Sequence, residues 1–285
     1  MTGLTLPAPA KLNLFLHITG QREDGYHTLQ TVFQLLDYGD SLTFTLNDSQ
    51  DLTLDCNRPE LASPDNLVMQ AAAKLAQHTG TSRGTHINLD KRLPAGGGVG
   101  GGSTDAATTL LALNRLWECG LDTDSLATIG LELGADVPVF IRGRSAWAED
   151  LGEKLQPVDL PERWYLVLTP DCHVSTREIF THPQLTRDTH PIKIAAFPFS
   201  GSKNDCEMLV TSLYSPVKKA LDWLSGYAET RMTGTGASVF AAFDTETEAR
   251  NVLEHLPEAA LGKVTAFVAR GVNISPLHKT LGLTV

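Results

Sequence analysis

With 285 residues, the chain is long enough for one large domain or two ordinary domains with a sizeable core. Its net charge of −10, without a basic run, excludes a protein whose main role is to bind the nucleic acid backbone. Four widely spaced cysteines, no apolar stretch of membrane-spanning length and a start without signal-peptide features favour a cytoplasmic protein with reduced thiols.

Alternation of apolar and polar residues predicts a strand-rich first half. The predicted strands are Leu12–Ile18, Leu29–Leu36, Ser41–Leu46, Asp51–Leu54, His86–Arg92 and Val137–Arg142. A turn at Tyr38-Gly39-Asp40 is predicted between two of these strands. The predicted helices are Ser63 to about Gln77, with a proline in its first turn, Asp105–Trp117 and Asp124–Leu133.

The second half is predicted to be a layer of strands covered by helices. Its predicted strands are Trp164–Leu168, Ala237–Phe243 and Lys263–Val268, and its predicted helices are Ser215–Tyr227 and Thr245–Leu256. Acidic residues and two prolines interrupt the pattern at Glu149–Pro161. We therefore expect two domains, residues 1–155 and 156–285.

A glycine-rich loop lies between a predicted strand and a predicted helix, and six of its seven positions from 96 to 102 are glycine. Glycine permits positive φ and lets backbone N–H groups approach a ligand closely. The N-terminus of the following helix adds unpaired N–H donors and the positive end of its dipole. Together these features predict a polyphosphate site. The predicted site comprises Pro94, Ala95, Gly96, Gly97, Gly98, Val99, Gly100, Gly101, Gly102, Ser103 and Thr104.

Other interpretations of this loop are weaker. A flexible linker would have polar, low-complexity flanks, whereas these flanks are predicted to be a strand and an amphipathic helix. A Walker loop needs a lysine after its glycines, and none follows here. The residues do contain GxGxxG, which would suggest a dinucleotide-dependent oxidoreductase. A run with so many glycines matches that pattern by chance. Its position near residue 95 also does not suit a dinucleotide fold.

Two charged residues and a second glycine-rich turn accompany the loop. Lys11 begins a predicted strand within Pro9–Leu16 and shares one strand face with Asn13. Asp136 follows a helix end at Gly134, and Arg231–Phe240 is a glycine-rich turn that leads into a strand. Taken singly, the lysine is more often a solvated charge and the aspartate a turn former.

Segments 9–16, 94–107 and 231–240, in this order, resemble the three motifs of the GHMP kinase superfamily. The resemblance implies an α/β (α+β), two-lobed GHMP kinase fold, with an N-terminal lobe like domain 2 of ribosomal protein S5 and a C-terminal GHMP kinase lobe. It also implies that ATP binds at the glycine loop and that Asn66, Leu67 and Lys91 line the adenine pocket. Mg²⁺ is expected on ATP, since kinases bind the chelate, and no protein ligand to a metal is predicted.

Lys11 and Asp136 are the catalytic residues that the resemblance implies. Phosphoryl transfer needs alignment of the substrates, neutralisation of charge and a group that accepts the proton of the attacking hydroxyl. We expect Asp136 to act as this general base, with Lys11 orienting Asp136 and the nucleophilic oxygen. Whether Lys11 contributes by orientation or by charge stays open at this point.

Further segments resemble the branch of the superfamily that phosphorylates the 2-hydroxyl of a cytidine-diphosphate-linked methylerythritol, in the non-mevalonate route to isoprenoid precursors. They are residues 20–27, 37–40, 65–67, 134–140, 204–207 and 271–278. The implied acceptor-binding residues are Asn13, Tyr26, His27 and Phe180. Aromatic faces suit stacking on a base, and a histidine ring nitrogen suits hydrogen bonding to its edge.

The chain departs from the family pattern at a few places. Thr104-Asp105 stands where family members often have Ser-Asn, Ala95 and Val99 vary within the loop, and residues 188–202 match weakly. Two alternative functions are a GHMP kinase acting on homoserine, mevalonate or a sugar, and a catalytically silent nucleotide-binding protein. The base-stacking aromatic residues disfavour the first, and the presence of Lys11 and Asp136 disfavours the second. We expect small-molecule partners only, no nucleic acid or membrane partner, and a monomer or homodimer.

Overall fold

Residues 3–194 and 202–284 are described by the computed structural model of the chain. The strands are β1 (Leu4–Gln21), β2 (His27–Asn47), β3 (Leu52–Cys56), β4 (Gly84–Asp90), β5 (Ala146–Asp150), β6 (Lys154–Pro157), β7 (Trp164–Pro170), β8 (Thr230–Met232), β9 (Val239–Phe243) and β10 (Val264–Val272). The helices are α1 (Leu67–Thr79), α2 (Gly101–Leu116), α3 (Thr123–Leu131), α4 (Val137–Arg142), α5 (Thr176–Thr181), α6 (Glu207–Leu213), α7 (Ser215–Ser225), α8 (Glu246–Glu254), α9 (Glu258–Leu261) and α10 (Pro276–Leu281). A short 3-10 helix, Pro59–Leu61, precedes α1.

The long strand β2 organises the sheet, because it pairs with four other strands. It runs antiparallel to β1, β4, β5 and the end of β10, and the main strand order is β3-β4-β2-β10-β7-β9-β8. The pairs Gly271↔Leu36 and Val272↔Leu35 join the N-terminal strands to the C-terminal ones. The two lobes therefore share one sheet, with β2 and β10 at their junction.

Apolar side chains form three buried clusters. The first packs α1–α4 and α10 against the N-terminal strands, and the second packs α6–α8 against the C-terminal strands. The third lies between β1, β7 and β10 and includes Phe15, Val167 and Phe267. None of the helices within the described ranges has both the length and the apolar composition needed to cross a bilayer.

Most predicted elements are confirmed, and the differences have local causes. The predicted turn at Tyr38-Gly39-Asp40 is wrong, because β2 continues through it. A Cβ atom at Gly39 would lie 2.0 Å from the carbonyl oxygen of Ala8, so this glycine permits close passage of β1 rather than chain reversal. The first helix begins at Leu67 instead of near Pro64, since the side chain of Asn66 accepts a hydrogen bond from Val68 N and caps it.

The predicted strand at 137–142 is also wrong, since these residues form helix α4. Five of its six residues are buried, so the apolar run carries no helical period that distinguishes it from a buried strand. Pro138 occupies the first turn, and Gly143 ends the helix in the left-handed conformation with a φ of +69°. Residues 195–201 of the weakly matching segment lie outside the described residues.

Phe140→Ala tests the packing of α4. Phe140 is fully buried, and its ring would lie 2.8 Å from a Cβ atom at Gly100, so the substitution opens a cavity beside the glycine loop. We expect the free energy of unfolding to fall by about 3–5 kcal/mol in a urea titration. Met208→Ala is the control, because Met208 is 84% exposed, and a change of at most about 0.5 kcal/mol is expected there. A loss below about 1 kcal/mol in Phe140→Ala would contradict this packing.

Candidate active site

The glycine loop connects β4 to α2 and leaves the start of that helix open. Gly96, Gly98 and Gly100 have φ values of +68°, +77° and +78°, which few other residues adopt. Gly100 is the N-cap of α2, and no side chain among the described residues caps this end. The first N–H groups of a 16-residue helix are therefore available to an anion.

The second glycine-rich turn packs directly against the loop. A Cβ atom at Gly98 would lie 2.4 Å from the carbonyl oxygen of Thr233, and one at Gly97 would lie 2.8 Å from Ser238 Oγ. Ser238 N donates a 3.1 Å hydrogen bond to Gly97 O. These two glycines therefore serve the packing of the two turns, rather than contact with a ligand alone.

The remaining predicted loop residues divide into exposed and buried sets. Ala95, Gly96 and Gly102 are exposed, whereas Pro94, Gly97, Val99, Gly101 and Thr104 are buried. The hydroxyl of Thr104 is buried and has no hydrogen-bond partner among the described residues. Only part of the predicted loop is therefore accessible to a ligand.

The buried ammonium of Lys11 joins the loop to Asp136. Its Nζ donates to Asn13 Oδ1 at 2.6 Å and to Gly98 O at 3.1 Å, and it lies 3.0 Å from Asp136 Oδ2. The side chain of Lys11 is 3% exposed and that of Asp136 is 34% exposed. Asp136, which immediately precedes α4, therefore has one oxygen held by the lysine and a surface open to solvent.

Two threonines orient the polar groups around Lys11, and sequence reasoning did not single them out. Asn13 Nδ2 donates to Thr31 Oγ1 at 2.9 Å, which leaves Asn13 Oδ1 for the lysine. Thr233 Oγ1 accepts a 2.9 Å bond from Asn13 N. Thr233 lies within the third motif, so the motif could have identified it as a site residue. Nothing in the sequence around Thr31 marks that residue.

A cavity of about 790 Å³ extends from this polar cluster to an aromatic end. Lys11, Asn13, Gly98, Ser103 and Asp136 line one part, and Tyr26, His27 and Phe180 line another. The rings of His27 and Phe180 lie 5.2 Å apart with planes tilted by 32°. His27 is buried, whereas Tyr26 is 62% exposed at the rim. The structure thus brings the predicted catalytic and acceptor-binding residues to a single cavity, whose volume is in the range of small-molecule sites.

Two predicted adenine-pocket residues lie beside the start of α2, outside this cavity. A Cβ atom at Gly102 would lie 3.2 Å from Leu67 Cδ1, and one at Gly101 would lie 3.0 Å from Lys91 Nζ. Lys91 Nζ donates to Asp40 Oδ2 at 2.5 Å and to Asp105 Oδ2 at 2.7 Å, and all three side chains are buried. The charge of Lys91 is therefore compensated within the protein.

The cluster of Asp40, Lys91 and Asp105 holds the chain that enters the loop. Asp40 Oδ1 accepts hydrogen bonds from the backbone N atoms of Arg92 and Leu93, at 2.5 and 2.7 Å. Burial raises the pKa of Asp105 to about 7 despite the opposing charge of Lys91, and repulsion from Asp40 adds to the rise. Within the described ranges, no group of three His, Cys, Asp or Glu side chains is placed to hold a metal ion.

Two family models match the chain. GHMP kinases N terminal domain matches residues 66–144, and GHMP kinases C terminal matches residues 187–261. The first match includes the glycine loop and Asp136, and the second includes the turn that packs against that loop.

Two relatives that match over nearly their whole length carry the same name. The chain is 56% identical to a "4-diphosphocytidyl-2-C-methyl-D-erythritol kinase" of Shewanella loihica, over 95% of this chain and 94% of the relative. It is 55% identical to a protein of the same name from Marinobacter nauticus, over 99% and 98% of the two chains.

Solved structures share the fold. A crystal structure of 4-(cytidine 5'-diphospho)-2C-methyl-D-erythritol kinase superposes with a TM-score of 0.81 at 31% identity, covering 94% of this chain and 100% of the other. A homoserine kinase from Cytophaga hutchinsonii superposes with a TM-score of 0.64 at 17% identity, covering 97% of this chain and 96% of the other. The second likeness concerns the fold alone, which is the two-lobed GHMP kinase fold expected from the motifs.

Asp105→Asn tests the buried charge cluster through the pH dependence of stability. Because the pKa of Asp105 rises in the folded protein from 3.8 to about 7, its contribution to stability is complete below about pH 4. That contribution is lost as pH rises through 7. Asparagine does not titrate, so the free energy of unfolding of the variant, minus that of the wild type, should increase between about pH 4 and 7.

Denaturant titrations at several pH values measure this difference, and Asp122→Asn is the matched control. Hydrogen bonds from Ser125 hold the pKa of the exposed Asp122 below its ordinary value. The control difference should therefore change only below about pH 4, in the opposite sense. A difference for Asp105→Asn that stays constant across this range would rule out the raised pKa.

Proposed function

Because the chain belongs to the 4-diphosphocytidyl-2-C-methyl-D-erythritol kinase family of GHMP kinases, we propose that it transfers the γ-phosphoryl group of ATP to the 2-hydroxyl of 4-diphosphocytidyl-2-C-methyl-D-erythritol. The reaction belongs to the non-mevalonate route to isoprenoid precursors. One observation carries the choice of acceptor: a single cavity joins the Lys11–Asp136 pair to the aromatic end at His27 and Phe180. Homoserine, mevalonate and sugars have no base to occupy such an end.

The phosphates of ATP occupy the exposed edge of the glycine loop and the open start of α2. Uncapped N–H groups and the helix dipole favour the negative charge there. Asn66 and Leu67 border the adenine, and Lys91 supports the same region through its contacts with Asp40 and Asp105. Mg²⁺ enters as the ATP chelate and is part of the substrate.

Asp136 accepts the proton of the attacking hydroxyl. Its carboxylate is partly open to the cavity, as a base that must reach a substrate requires. Lys11 holds one carboxylate oxygen while also bonding Asn13 and Gly98, so its contribution is to orient Asp136 against the phosphate loop. In a loose transition state, alignment and charge stabilisation account for most of the catalysis.

The cytidine base lies at the aromatic end, where Tyr26 and Phe180 offer flat faces and His27 offers hydrogen-bonding groups. Asn13 contacts the acceptor near the reacting hydroxyl.

We further propose that the protein acts in the cytoplasm on small molecules alone, without nucleic acid or membrane partners, as a monomer or homodimer. We also propose two domains, residues 1–155 and 156–285, the second of which packs its last helix, α10, against the core of the first.

An assay of ADP release with a panel of acceptors tests this function. Turnover is expected with the cytidine compound and ATP, and none is expected with homoserine, mevalonate or galactose. Turnover of mevalonate without turnover of the cytidine compound would refute the choice of acceptor. ATP binding without ADP release for any acceptor would instead favour a silent nucleotide-binding protein.

Asp136→Asn and His27→Ala should separate chemistry from recognition. The first keeps the shape of the side chain but removes the proton acceptor, so kcat should fall by roughly 10²–10⁴-fold. The second is remote from the transferred group, so it should mainly raise the KM of the acceptor. Steady-state kinetics with both substrates measures these effects, and the KM for ATP should change little in either variant. A near-normal kcat in Asp136→Asn would make Asp136 a positioning residue instead of the base.

A further inference from the structure

The guanidinium of Arg187 is fixed behind the aromatic end of the cavity by four hydrogen bonds. Its Nη1 donates to Leu185 O at 3.1 Å, and its Nη2 donates to Phe180 O at 2.9 Å and His182 O at 2.8 Å. Its Nε donates to His27 Nε2 at 2.9 Å. Since the donors of arginine form a rigid planar fork, these contacts leave the guanidinium little freedom to reorient.

This arrangement determines the tautomer of His27. Arginine has no acceptor atom and keeps its charge in proteins, so His27 Nε2 must be the acceptor in this hydrogen bond. A neutral imidazole that accepts at Nε2 carries its hydrogen on Nδ1. Burial, together with the nearby charge of Arg187, lowers the pKa of His27 and so favours the neutral ring.

The other nitrogen of His27 is available to a ligand. The ring lines the cavity, and in the part of the chain that the structure describes its Nδ1 has no hydrogen-bond partner. The same guanidinium that bonds His27 also bonds the carbonyl of Phe180, whose ring lies 5.2 Å from the imidazole. One residue therefore positions both the hydrogen-bonding group and an aromatic wall of this end.

We propose that Arg187 is a positioning residue for specificity, which fixes His27 as the Nδ1–H tautomer so that this end of the cavity selects a base edge presenting a hydrogen-bond acceptor. The inference rests on the proposed function, in which a cytidine base occupies this end. Cytosine offers ring N3 and carbonyl O2 as acceptors on one edge. A site that donates from a fixed N–H discriminates against ligands that leave this donor unpaired.

The tautomer is measured directly by ¹⁵N NMR of histidine-labelled protein without any acceptor, at a pH where His27 is neutral. The His27 signals are assigned by their loss in His27→Asn. In the wild type we expect protonated Nδ1 and unprotonated Nε2. In Arg187→Met the ring should shift toward the Nε2–H form. The control is Arg115→Met, because Arg115 also donates to a carbonyl, Leu281 O, but far from His27. This control should leave the His27 signals unchanged.

Kinetics then connect the tautomer to recognition. Arg187→Met should raise the acceptor KM by about 10-fold, as expected for loss of one oriented hydrogen bond, with kcat within about twofold of the wild type. Arg187→Lys keeps the charge without the planar fork, so its KM should lie between the two. At position 27, the amide of asparagine comes near the place of Nδ1 and that of glutamine near the place of Nε2. His27→Asn should therefore retain a lower acceptor KM than His27→Gln.

Two results would overturn the inference: an Nε2–H ring in the wild type, or Arg187→Met with unchanged tautomer and acceptor KM. Circular dichroism of each variant identifies any loss of folding, and the wild-type tautomer measurement stands even where Arg187→Met does not fold. Because that measurement needs no acceptor, it is independent of the assay for the proposed function. A wild type with the Nδ1–H ring and no turnover of the cytidine compound would refute the function and, with it, the role in base recognition.

Discussion

The buried ammonium of Lys11 is the constraint on which the arrangement of the site depends. A buried charge without partners is strongly unfavourable, so the chain must supply acceptors for it. They come from three separate places: Asn13 on the same strand, the carbonyl of Gly98 in the loop and the carboxylate of Asp136 before α4. Moving any of these groups away would leave the ammonium without one of its acceptors. The first strand, the glycine loop and the carboxylate are therefore held in one geometry before a ligand binds, and phosphoryl transfer requires preorganisation of this kind.

The loop is held from two further directions, and this explains why so flexible a composition can form a defined site. On one side, the carbonyl of Thr233 occupies the space that a side chain at Gly98 would need. On the other, the backbone N atoms of Arg92 and Leu93 donate to the carboxylate of Asp40, which is linked through Lys91 to Asp105 in α2. Residues 95, 96 and 102 at its outer edge stay exposed. The glycines thus avoid steric conflict with the protein on the inside and leave the outer edge open.

Contiguous signals in the sequence predicted most helices and strands, whereas long-range partners could not be predicted from it. The glycine loop has an unusual composition, Lys11 and Asp136 were selected by the motifs around them, and the structure places all three beside one cavity. The run at 137–142 is buried nearly throughout, so its period could not separate helix from strand, and Gly39 resembles a turn residue although it serves strand packing. Arg187 bonds His27 across 160 positions, and nothing local distinguishes it from an ordinary surface arginine. Such partners are determined by the fold, not by the pattern around them.

The two ends of the cavity use a similar device for different purposes. At each end a cation, whose N–H groups are bonded to the chain's own acceptors, orients a second side chain that lines the cavity. Lys11 is a compact charge adjacent to Asp136, so under the proposed function its positive field also reaches the transferred phosphoryl group. Arg187 instead lies behind the imidazole of His27 and forms three of its four hydrogen bonds with backbone carbonyls, so in the proposed role it contributes orientation rather than charge. A base is neutral and is recognised by the direction of its hydrogen bonds, whereas a phosphoryl group in transfer is recognised by charge. The proposed function thus accounts for a lysine at one end and an arginine at the other.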